Sequence, residues 1–133
     1  MRPWLALAAF VAITGAGCRG EQGPVSGELA VHLVTPRSSD RAVVFLVAGK
    51  VHGVTAPPGS TYRVFSDTSS RVDTARVVVV APSGSGVAAG EIARFRVDDT
   101  RQVRNYAARV IGLAAATYLL SDTSGVSLTV VRP

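Results

Sequence analysis

From residue 28 onward the apolar positions fall into short runs, many of them alternating with polar residues, and the runs are punctuated by Gly, Pro, Ser and Asp. A repeat of two is the signature of β-strands with one face turned to a core, and this punctuation predicts an antiparallel β-sandwich of seven or eight strands, immunoglobulin-like or jelly-roll-like. Leu29, Val31 and Leu33 point inward in the first predicted strand, which closes at Thr35-Pro36 and leaves His32 outward or at an edge. Residues 42–48 are apolar on both faces around Phe45, the pattern of a central strand covered on both sides. Shorter strands follow at 51–56 and 61–66, with the Pro57-Pro58-Gly59 turn between them. Residues 74–81 hold four successive valines, whose branched side chains favour extended backbone, and Pro82-Ser83-Gly84-Ser85-Gly86 ends that strand. In the next strand Ala93, Phe95 and Val97 form one face and Ile92, Arg94 and Arg96 the other. Strands at 106–113 and 126–131 complete the set, and residues 98–105 fit a short helical turn capped by Asp98 or Thr100.

Ahead of the domain the pattern changes. Arg2 precedes an apolar run from Trp4 to Ile13, followed by small residues up to Cys18. A charged start, a short apolar stretch and small residues are the grammar of an export leader. The run falls short of the roughly 20 residues that a helix needs to cross a bilayer. Gly15-Ala16-Gly17-Cys18 resembles the lipobox of bacterial lipoproteins, although Gly15 stands where that family usually carries an aliphatic residue. The resemblance implies removal of residues 1–17, lipidation of Cys18 and membrane anchoring through the lipid. Arg19, in place of the Asp that retains many such proteins on the inner membrane, leans the expectation towards the outer membrane. Cys18 is the single cysteine, so an internal disulfide is excluded, and lipidation removes what would otherwise be a reactive thiol in an oxidising compartment. The expected organisation is a leader over 1–17, a lipidated N-terminus and flexible tether over 18–27, and one β-sandwich over 28–132.

Composition changes this picture little. The 133 residues carry a net charge of +5, and 13 of the 14 basic residues are arginine; without Arg2 the charge is +4, a mild preference for anionic surfaces. Arg63, Arg76, Arg94, Arg96 and Arg109 occupy strand positions that could gather on one sheet face, and they form the candidate binding face for phosphate, lipid headgroup or polyanion. His32 and His52 have no second ligand at metal-binding spacing, and Asp98-Asp99 lack the repeated carboxylates of a calcium loop, so no metal and no cofactor is expected. Gly84-Ser85-Gly86 reads as turn chemistry rather than a nucleophile elbow, Glu28 and Glu91 as strand ends, and no catalytic residue is assigned. Tyr62, Tyr106 and Tyr118 are the tyrosines available for stacking on sugars.

The run from Gly86 to Val97 resembles the Gly-rich turn and following strand of cohesin-like domains. Extended over residues 28–131, that resemblance implies a sandwich that engages a protein or carbohydrate partner. The function expected from the sequence is a lipid-anchored, non-enzymatic binding or structural module at the cell envelope. Its partners would be the membrane and an envelope polyanion, glycan or protein, with nucleic acid excluded. A carbohydrate-binding or cohesin-like adhesion domain is the alternative, and an envelope hydrolase stands third.

Overall fold

Side chains that alternate between core and solvent demand strands, and strands must pair to satisfy their backbone groups. The computed structural model of the chain describes residues 23–68 and 73–133. It contains β1 (Gly27–Val34), β2 (Ala42–Ala48), β3 (Gly53–Thr55), β4 (Arg63–Asp67), β5 (Thr74–Val80), β6 (Gly90–Val97), a 3-10 turn (Thr100–Asn105), β7 (Ala107–Ala114) and β8 (Ser127–Val131). The eight strands form two antiparallel four-stranded sheets, in the orders β3-β6-β1-β8 (sheet A) and β4-β5-β2-β7 (sheet B). The expected all-β sandwich is thus the observed fold.

The core lies between the sheets. Leu29, Val31 and Leu33 of β1 and Ala93, Phe95 and Val97 of β6 meet Val43, Phe45 and Val47 of β2 and Ala75, Val77 and Val79 of β5, all buried. Tyr62, Val64, Tyr106, Val110 and Leu128 pack around this centre. The Phe95 and Tyr106 rings lie 5.5 Å apart at a tilt of 48°, a geometry favoured by the aromatic quadrupole.

Four local expectations are corrected. Ile92 is fully buried with Ala93, not outward with Arg94 and Arg96, because a β-bulge shifts the β1–β6 register between Val31 and His32: Val31 pairs with Ala93 and His32 with Glu91. The 3-10 turn is capped by Asp99, whose carboxylate accepts from the Arg101 amide, rather than by Asp98 or Thr100. Residues 23–26, read as tether, are tied to that turn: the Val25 carbonyl accepts from the Thr100 amide at 2.8 Å and the Gly23 carbonyl from Arg101 Nη2 at 3.1 Å, after which Gly27 opens β1. Finally, β2 is central in sheet B, but among the described residues no strand or helix packs on its outer side.

Candidate functional site

The sandwich separates the five expected arginines. Arg63 (β4), Arg76 (β5) and Arg109 (β7) project from the outer face of sheet B, whereas Arg94 and Arg96 (β6) belong to the outer face of sheet A. Alternation sends all five outward, but the outer faces of two stacked sheets point in opposite directions. One arginine face is therefore not formed.

Sheet A presents a largely polar outer face on which Arg94 is paired with carboxylates, with Val34 exposed at one end. Arg94 Nε donates to Glu91 Oε1, Nη2 reaches Glu91 Oε2 at 3.4 Å, and Nη1 lies 3.7 Å from Glu28 Oε2. These bonds, Glu91 first, raise the Arg94 pKa. Arg96 stands opposite Glu28, and His32 opposite Glu91 and Thr129.

Sheet B presents the opposite character. Its outer residues form cross-strand rows: Asp67, Arg76, Leu46 and Arg109; then Phe65, Val78, Val44 and Gly112; then Arg63, Val80, Ala42 and Ala114. A β-bulge at Val44/Phe45 adds Ile111 to β7. The Ala114–Leu120 bridge carries the last row on to Leu120. Phe65 is 58% exposed, Ile111 40% and Leu120 89%. The outer face of sheet B is thus an apolar surface with arginines on β4, β5 and β7 around it. Beside it, the 115–120 loop holds Tyr118 and Leu119 exposed, with the Arg41 guanidinium 5.7 Å from the Tyr118 ring centre. Contiguous exposed apolar surface of this kind marks interaction sites. The doubly apolar run at residues 42–48 is the sequence signal of this surface, which the fold leaves open on its outer side instead of covering it.

At the end of the sandwich where β1 begins, the side chains of Lys50, His52 and Asp98 meet. His52 Nε2 lies 2.7 Å from Asp98 Oδ1, and Lys50 Nζ 3.5 Å from Asp98 Oδ2. The His52 hydrogen bond holds the Asp98 carboxyl below its ordinary value. Tyr106 Oη donates to the Lys50 carbonyl at 3.1 Å, and burial raises its pKa. Sequence spacing did not reveal this cluster, because His52 and Asp98 are 46 residues apart. Asp99 turns away to Arg101, which lowers its pKa, so the adjacent aspartates do separate jobs. Among the described residues no group of three His, Cys, Asp or Glu side chains is placed to hold a metal ion.

The remaining candidates are accounted for by local structure. Tyr62 Oη accepts from the Ala88 amide at 3.1 Å, and Ser85 Oγ donates to the Pro82 carbonyl at 3.0 Å within its turn. The buried Asp40 pairs with Arg37 at 3.3 Å, a contact that sequence reasoning missed. Cys18 lies outside the described residues. Comparison with protein-family models, with the curated proteins and with the solved structures finds no match to this chain.

Proposed function

We propose that this chain is an exported bacterial lipoprotein, lipidated on Cys18 and held at the cell envelope, whose β-sandwich is a non-enzymatic binding module working through the outer face of sheet B. The observation that carries the module reading is the contrast between the two faces: sheet A pairs Arg94 with Glu91 and Glu28, while sheet B exposes Phe65, Ile111 and Leu120 among arginines. Exposing such side chains to water is unfavourable in an isolated domain, and covering them is what a binding surface does. The export and anchoring reading rests on Arg2, the apolar run and Gly15-Ala16-Gly17-Cys18. The Arg19 position leans it towards the outer membrane.

The test is intact-mass analysis of membrane fractions from cells expressing the wild type and Cys18→Ser. The expected wild-type species begins at Cys18 and carries acyl mass, and Cys18→Ser loses that mass and leaves the membrane. Soluble, unmodified protein in both cases removes the anchoring reading. Turnover of ester, glycoside or peptide substrates that a point substitution abolishes would remove the non-enzymatic one. A glycan-binding reading is favoured by one feature, the exposed Tyr118 ring beside Arg41, and predicts that Tyr118→Ala abolishes retention on an envelope glycan.

A further inference from the structure

We infer that the outer face of sheet B lies against the anionic surface of the bilayer to which the chain is anchored, so that the sandwich rests on its side with Leu120 in the interface and sheet A turned to the solvent. This rests on the anchoring reading above and adds to it an orientation and an occupant for the apolar face. Two observations lead there.

The first is the length of the leash. Gly23 and Val25 are bonded to Arg101 and Thr100, so only residues 19–22 separate a lipid on Cys18 from the body of the domain. Those five links extend at most about 17 Å, while stacked sheets lie only about 10 Å apart. The domain therefore stays at the surface. The 3-10 turn that holds the leash runs from β6 of sheet A to β7 of sheet B, which puts either face within reach of the lipid.

The second is charge, which selects the face. Sheet A answers Arg94 and Arg96 with Glu28 and Glu91. On sheet B, Arg63, Arg76 and Arg109 stand with a single outward carboxylate, Asp67, across from Arg76. Arginine stems lie along apolar surface while their guanidinium groups reach phosphate, so apolar side chains ringed by arginines match an anionic interface. A second copy placed face to face would instead bring the same excess of arginines together. Leu119 and Leu120, 70% and 89% exposed at the end of the sheet remote from the leash, supply apolar side chains to enter the headgroup region.

The test places a single indole on each face. Leu120→Trp (sheet B side) and Val34→Trp (exposed on sheet A) are made in a Trp4→Phe background, purified from membranes and reconstituted into vesicles of brominated phosphatidylglycerol, whose bromines quench only nearby tryptophan. Leu120→Trp is expected to lose about half of its emission or more, as befits a side chain roughly 5–10 Å into the interface, and Val34→Trp to keep its emission. Equal quenching at both positions, or none at either, overturns the orientation. Shielding of Leu120→Trp that persists without lipid in a species of doubled mass overturns it too and assigns the face to a second copy. Acyl mass on the same preparations is read independently: its absence defeats anchoring, and the two variants mixed with the same vesicles then decide the face alone.

Discussion

A methyl group on Gly86 would collide with the carbonyl oxygen of Ser38, a backbone atom that cannot yield as the end of a flexible side chain can. Gly86→Ala is expected to destabilise the fold by about 1–3 kcal/mol or more, read as a lowered urea midpoint. The glycine is needed for space, whereas at Gly49 a φ of +122° and the Tyr106 ring both demand it. Asp98 makes a second prediction. Its carboxyl is held below the ordinary value of 3.8, first by His52, so its ionised form is favoured in the folded state. The stability it contributes is present above that value and is lost as pH falls through the depressed one. Stability measured by urea unfolding across the acid range should therefore fall less steeply with decreasing pH for Asp98→Asn than for the wild type, the two curves converging at the acid end. Curves that stay parallel would show that Asp98 contributes no pH-dependent stability.

Strands place neighbours on opposite faces, and β5 shows how much that is worth. Val77 is fully buried opposite Phe45, whereas Val78 lies on the outer face opposite Val44. Threonine keeps the shape of valine but adds a hydroxyl, so Val77→Thr should cost about 1–3 kcal/mol by burying that group without a partner. Val78→Thr should stay within about 0.5 kcal/mol, since its site is half-open. Urea midpoints of the two variants measure the difference, and equal losses would mean that the outer face is as closed as the core. Element positions were largely legible: the runs at 42–48 and 74–81 became β2 and β5, and the weaker pair at 51–56 and 61–66 became the shorter β3 and β4. Register was not. Which residue of β6 is doubled by the bulge depends on how β1 pairs with it, and Ile92 changes face for that reason alone.

Across the whole molecule the pairing is distant in sequence: β1 joins β6 and β8, and β2 joins β5 and β7. Such pairings require long loops to close before contacts form, so stopped-flow refolding is expected on the millisecond-to-second scale typical of sandwiches. Refolding complete within microseconds would show that local contacts dominate the transition state. The same topology divides the arginines. Arg63, Arg76 and Arg109 share sheet B with the apolar outer residues of β2 and β5, while Arg94 and Arg96 sit with Glu28 and Glu91 on sheet A. The five strand arginines therefore divide between a face that also carries carboxylates and a face of apolar side chains.

Residue order by itself determined that this chain forms β-strands, where most of them lie and that Leu29, Val31 and Leu33 of β1 and Ala93, Phe95 and Val97 of β6 turn inward, because alternation and turn chemistry act over a few neighbours. The expectation of an export leader ending at Cys18 likewise rests on residue order alone, because it is read along the chain rather than through space. Only tertiary structure decided which strands share a sheet, and with that the split of the arginines, the meeting of His52 with Asp98 and the fastening of residues 23–26 to the 3-10 turn. Strand order decides which outward side chains become neighbours, and no local pattern encodes strand order. For the same reason the doubly apolar β2 could be recognised as central, while the open outer side of its sheet could not.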